Sequence, residues 1–258
     1  MEGVFGYLGR KTIYAVNHIL NLITFTLKLM GLFFRKSKSG RTLVRNVVVD
    51  QIYFTAVQAL PVLIPIALIV GSMIIIQLSM LSGQFNLGKI VVLLILREVG
   101  PVITALVVIL RSATAVTIEI SYMVVLREIE VLEMSGIDPM FVVCFPRFLG
   151  ITFAILSLSV LFGMLAIIGG WGIALAGAFF PVGGFFQQIV KAVTFADIAA
   201  GLVKAFLFGV AITVTCLYHG FSYKEEITEV PVATSRSSIE CFLFCLVINI
   251  SISILFYI

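Results

Sequence analysis

Charge is what this sequence has least of. Only 12% of its 258 residues are Asp, Glu, Lys or Arg, where soluble domains carry about 25%. That scarcity excludes a soluble enzyme, a disordered regulator and a nucleic-acid-binding domain, because none of them can keep so apolar a chain in water. Histidine is scarce too. His18 and His219 are the two present, far apart and without an HExxH or GxSxG pattern, so no catalytic residues are expected. The four cysteines, Cys144, Cys216, Cys241 and Cys245, show no CxxC or zinc spacing. They read as small buried hydrophobes, and no metal site is expected. The run Gly6-Tyr7-Leu8-Gly9-Arg10-Lys11-Thr12 lacks the Gly-Lys pair of a phosphate loop. If ATP is used, another chain must hydrolyse it. No short apolar segment with a cleavage site marks a removable signal peptide.

Apolar residues are abundant instead, at 61% with a mean hydropathy of +1.19. A spanning helix takes roughly 20 apolar residues, so the length allows about five to seven spans and no separate soluble domain. The fold class read from this is an all-α integral membrane protein. Residues 1–46 hold eight of the seventeen basic residues. The apolar stretch Ile13–Phe34 contains Lys28, which suits a helix lying in the interface better than a clean span. Spans are predicted over about 51–81, 89–110, 148–178, 198–219 and 241–258, with Pro61 and Pro65 as kink sites in the first. The 43 uncharged residues Phe148–Val190 fit one span or two hinged at Gly169-Gly170-Trp171-Gly172. Five spans are preferred, because Phe179-Phe180-Pro181-Val182-Gly183-Gly184 reads as a chain surfacing at the interface. The N-terminal basic cluster puts the N-terminus in the cytoplasm and 111–147 on the same side.

Three charges fall deep inside predicted spans: Arg97, Glu98 and Lys204. Each costs about 2.5–3.5 kcal/mol on insertion scales if it faces lipid. Glu98 lies about 13 Å in from Lys89, and Lys204 about 10 Å in from Asp197, at 1.5 Å per residue. The matching depths make a Glu98–Lys204 pair possible. Such a pair is either a structural lock or part of a polar lining for a charged headgroup; snorkelling is the third reading. Gly201, Ala205, Gly209 and Thr213 form a small-residue stripe that serves internal packing or a subunit interface. Asn249 reads as a helix-to-helix hydrogen-bonding residue.

Arg127–Arg147 is the most informative region. Glu128, Glu130 and Glu133 alternate with Ile129, Val131, Leu132 and Met134, Gly136 ends the run, and Asp138-Pro139 restarts the chain. The pattern predicts a short amphipathic helix between the second and third spans at the cytoplasmic surface. Its charged side is placed to meet a soluble partner and its apolar side to stay on the bundle.

Leu96-Arg97-Glu98-Val99-Gly100-Pro101 resembles the LREhGP motif of MlaE-like permeases, the membrane subunits of MCE-type (Mla) lipid ABC transporters. Glu128–Pro139 with Pro146-Arg147 resembles that family's EEIDALExMGIDP…PR stretch. Arg111-Ser112-Ala113, Glu119-Ile120, Lys204, Gly220-Phe221 and Ala233-Thr234-Ser235-Arg236 agree as well, so the likeness covers roughly 45–258. The resemblance implies a homodimeric permease domain over 47–258 that moves phospholipid in a bacterial inner membrane; a plastid envelope suits the same family. ATP and Mg would sit on a cytoplasmic ATPase subunit, none on this chain. A periplasmic MCE-domain protein, as a hexameric ring, would stand above the outer face. The lipid cavity would be lined by Leu68, Gly71, Ile75, Leu78 and Leu81, with Arg97 and Glu98 below. The ATPase would bind a coupling helix carrying Arg127, Glu128, Glu130, Glu133, Gly136 and Asp138. The rival reading is a stand-alone secondary carrier with Glu98 and Lys204 as a proton relay, but no internal repeat supports it. A purely structural membrane anchor leaves the mid-membrane charges unexplained.

Overall fold

The computed structural model describes residues 2–32, 41–80, 87–176, 191–222 and 230–257. Among these residues there is no strand. Apolar runs of this length must satisfy their own backbone groups, and the α-helix does so within one segment. Among the described residues five helices are long and apolar enough to cross a bilayer: Val44–Leu78, Gly88–Val125, Met140–Gly172, Phe195–Ser222 and Val230–Phe256. They are called the first to fifth spans below. A further helix, Glu2–Gly31, precedes them. It packs on the fourth span through Leu22, Leu29 and an edge-on contact of Phe25 with Tyr218.

The first span is broken where the prolines require it. Pro61 has no N–H to return to the preceding turn. The helix Arg41–Thr55 tightens into a 3₁₀ turn at Val57–Ala59 and resumes at Leu60, with Pro65 inside it. Beside this break the Phe54 carbonyl accepts a hydrogen bond from Arg111 Nη1 at 2.7 Å, and Gln58 Oε1 accepts one from Nη2 at 2.7 Å. That contact lets the second span run on past Leu110 to Val125: its first inner charge is hydrogen-bonded to the first span. Further along, Glu119 meets Arg147 of the third span at 2.6 Å.

The third helix is continuous over Phe145–Ala176, so Gly169–Gly172 stay helical and make one span. Phe179–Gly184 lie outside the described residues. The fifth span begins at Val230, well ahead of Cys241, and takes Arg236 and Glu240 into the helix. The core is centred on the third and fourth spans, where Ile151, Ile155, Leu158, Phe162, Phe208 and Ile212 have no exposed surface. All four cysteines are buried free thiols. The small-residue stripe of the fourth span is buried inside the bundle, with Gly209 against Thr152. The first and fifth spans are the least covered by the rest of the chain.

Candidate functional site

The second span departs from α-helical winding at Leu93–Val99, where a π-helical stretch carries Arg97 and Glu98. Such a widened turn re-aims neighbouring side chains and is frequent at functional sites. The fourth span crosses this point very closely. A β-carbon on Gly201 would lie 2.6 Å from the Leu96 carbonyl oxygen, which only a hydrogen avoids. One turn further along, Lys204 enters the gap.

Lys204 has no exposed side-chain surface. Its ammonium donates to Glu98 Oε2 at 2.8 Å, to the Arg97 carbonyl at 3.0 Å and to Ser253 Oγ at 2.8 Å. An ammonium has three protons, so all of them are used. Ser253 Oγ also lies 3.0 Å from each Glu98 oxygen, and Asn249 Nδ2 donates to Oε2 at 3.4 Å. Glu98 is treated differently from its partner, because 22% of its side chain stays exposed. Asn249 Oδ1 beside it is buried with no hydrogen-bond partner among the described residues. The carboxylate thus forms the accessible side of a charge pair whose lysine is sealed.

Arg97 extends the other way. Its guanidinium reaches Asp197 Oδ1 at 3.7 Å and lies 5.4 Å from the Phe256 ring centre. Asp197 starts the fourth span: its Oδ2 accepts from the Thr194 N–H at 3.2 Å and from Thr194 Oγ1 at 2.5 Å, as a capping-box carboxylate does. Two cations and two carboxylates therefore pair off, Arg97 with Asp197 and Lys204 with Glu98, between otherwise apolar helices. Leu96, between these charges and the third span, also borders an apolar cavity of about 400 Å³ with Ser159, Gly163, Ile167, Gly201 and Leu202.

The first-span positions differ in burial. Leu68 and Leu78 are half-buried, whereas Ile75 is fully covered by the protomer. Gly71 is a backbone contact with the third span, since a β-carbon there would sit 2.1 Å from the Ala166 carbonyl oxygen. Leu81 lies outside the described residues.

At the opposite end of the second span, Arg127 takes a left-handed conformation, φ 59°, and turns the chain into a short helix, Glu128–Met134. Gly136, φ 73°, ends it. The Gly136 N–H reaches the Glu133 carbonyl and the Ile137 N–H the Leu132 carbonyl, the Schellman pattern. Asp138 Oδ1 then accepts the Met140 N–H at 3.1 Å and opens the third span. Glu128, Glu130 and Glu133 are exposed as the spacing predicts. The apolar side is only partly anchored: Ile129 is buried, but Val131 and Met134 are 55% and 81% exposed. Seven residues make barely two turns, so one face cannot hold every apolar position.

With this geometry in place, known proteins can be compared. The family described as "Permease MlaE" matches residues 48–255. The chain belongs to the MlaE permease family. The intermembrane phospholipid transport system permease protein MlaE of Haemophilus influenzae is 32% identical, over 77% of this chain and 78% of its own length. Proteins of Rickettsia felis and Rickettsia bellii, each named "Probable ABC transporter permease protein", are 24% and 23% identical. They cover 82% and 97% of this chain, and 83% and 96% of their own lengths.

The family match leaves several contacts of this MlaE-family chain to be found in the structure alone. Asp197 as the partner of Arg97 was legible only as a Thr-x-x-Asp helix start. Ser253 carried no signal beyond its place one helical turn after Asn249. The meeting of His18 and His219 on Glu240, at 2.6 and 2.5 Å, joins residues from both ends of the chain and has no local spacing to betray it.

Proposed function

We propose that this chain is the membrane subunit of an ABC transporter that moves phospholipid between a bacterial inner membrane and a periplasmic MCE-domain carrier. It works as a homodimer, with ATP and Mg held by a separate cytoplasmic ATPase. The observation that carries this reading is the unequal burial of Glu98 and Lys204, in a chain of the MlaE family. Burying a charge costs several kcal/mol unless it is paired, and the pairing that satisfies Lys204 does not use the exposed side of Glu98. Here the lysine is sealed and the carboxylate is left facing outward, as a site that meets a polar headgroup requires. The exposed Glu98 carboxylate suits the cationic part of a zwitterionic headgroup, and the apolar surfaces around it suit acyl chains. The names of the relatives from Haemophilus and Rickettsia support the substrate and the transporter class.

In this reading Leu68 and Leu78 surface the lipid cavity, and Gly71 and Ile75 back that wall by seating the first span on the third. The sparsely covered first and fifth spans are the natural faces for the second protomer and for lipid. The helix Glu2–Gly31 lies in the cytoplasmic interface, its exposed Ile13, Val16, Leu20 and Leu27 turned to acyl chains. The Glu128–Met134 helix couples to the ATPase through Glu128, Glu130 and Glu133 around the exposed Val131 and Met134. Arg127, Gly136 and Asp138 hold its two ends. Exposed apolar side chains rimmed by charge are what a docking surface presents.

Native mass spectrometry of the purified dimer tests the site. Phospholipid retained by the parent and lost in Glu98→Leu, with the dimer intact, supports it. Equal retention in that variant removes the headgroup role from Glu98.

A further inference from the structure

We infer that His18, His219 and Glu240 form a binding site for a divalent transition-metal ion, Zn²⁺ by ligand chemistry, which pins the N-terminal helix to the fourth and fifth spans. The three side chains come from three separate elements, Glu2–Gly31, Phe195–Ser222 and Val230–Tyr257. Their ligand-capable atoms all lie within 4.8 Å of one another. His18 Nε2 is 2.6 Å from Glu240 Oε1 and His219 Nε2 is 2.5 Å from Oε2, so both imidazoles aim the same nitrogen at one carboxylate. The two rings are 5.7 Å apart between centres and tilted by 48°, which leaves their Nε2 atoms convergent rather than stacked.

Two neutral imidazoles and a carboxylate are a zinc ligand set, with bonds of about 2.0–2.2 Å. Small movements of the side chains suffice to place an ion between them. Zinc binding needs the Nε2 lone pairs, so each neutral ring carries its proton on Nδ1 in the metal-bound form. The side chains of His18, His219 and Glu240 keep 21%, 19% and 23% of their surface exposed. An ion can therefore enter from solvent and complete its shell with water. The surroundings are otherwise aromatic and apolar: the Tyr218 ring stands edge-on to His18 at 5.2 Å and to His219 at 5.9 Å. His219 lies near the C-terminal end of the fourth span, as the Glu128–Met134 helix follows the C-terminal end of the second. The site is independent of the phospholipid reading and reverses the expectation from cysteine and histidine spacing that no metal is bound.

The test uses the full-length chain in detergent, stripped of metal with EDTA and titrated with ZnCl₂ against a chromophoric zinc indicator. The expected result is saturation at one Zn²⁺ per chain. His18→Ala and His219→Ala should each weaken binding by more than the roughly 100-fold that loss of an outer-shell partner can cost. His18→Cys should retain it, because a thiolate is a zinc ligand whereas a mere imidazole–carboxylate hydrogen bond is not restored by cysteine. Absence of a saturable site, or equal affinity in parent and alanine variants, overturns the inference. The zinc X-ray absorption spectrum of the parent decides the matter even where variants misfold: a shell of nitrogen and oxygen with two imidazoles supports the site, and a sulfur shell assigns the zinc to the cysteines and overturns it.

Discussion

Lys204 and Glu98, 106 positions apart, meet at 2.8 Å in the middle of two spans, the lysine with no exposed surface and the glutamate with 22%. Removing one partner strands the other in a low-dielectric setting, which costs about 3–5 kcal/mol for a buried pair. Lys204→Met and Glu98→Gln are each expected to lower the thermal midpoint of the detergent-solubilised dimer, Glu98→Gln by less because its amide still meets Ser253. The double variant should fall short of the sum. A strictly additive cycle contradicts the pairing.

Helix approach at the same point depends on one missing side chain. Gly201→Val places carbon atoms against the Leu96 carbonyl and should destabilise the fold by about 1–3 kcal/mol, the usual penalty for overpacking. Gly172→Ala is the contrast, since nothing lies within 4 Å of a β-carbon there. Thermal unfolding of both variants should show a clear loss in the first and none in the second.

Arg111 donates to the Phe54 carbonyl beside the 3₁₀ break of the first span, and lies 5.0 Å from the Phe54 ring. Hydrogen bonds to a charged group contribute about 1.5–3 kcal/mol. Arg111→Met should cost that much, whereas Arg111→Lys, which keeps a charged donor at the same place, should cost less. Equal losses in denaturation experiments would mean that a charged donor at this place is not what stabilises the break.

At the surface helix, Glu133→Lys is expected to abolish lipid-stimulated ATPase activity of the reconstituted complex while leaving the dimer assembled. Met134→Glu should weaken ATPase binding at least as strongly, since that side chain is 81% exposed and apolar contacts at the centre of an interface dominate its affinity. Unchanged coupling in both variants removes the helix from the transmission path.

The five spans and the all-helical fold were legible because uncharged runs in lipid admit almost no other structure. The short helix at Glu128–Met134 and its glycine stop were legible from residue alternation and from the conformational freedom that Gly136 uses. Span ends were not. Arg111, Arg236 and Glu240 looked like loop residues, but helices continue past them where each charge finds a partner or a surface. Depth arithmetic could suggest Glu98 with Lys204, because charged residues inside the spans are few. It could not supply Ser253, Asn249 or Asp197, whose roles depend on the tilt of the fifth span and on a π-helical turn with no marker in the residues. The His18–Glu240–His219 contact was invisible for a similar reason: 222 positions separate its outer members in the chain.

The central claim is that this chain moves phospholipid only when a separate ATPase drives it. The most direct measurement is transfer of a fluorescent phospholipid between proteoliposomes containing the chain and an MCE-domain acceptor, with and without the co-purified ATPase and Mg-ATP. Transfer that requires ATPase and ATP together, and disappears in Glu98→Leu, is the result expected. Equal transfer by the chain alone, driven by a proton gradient, would contradict it and make the protein a secondary carrier.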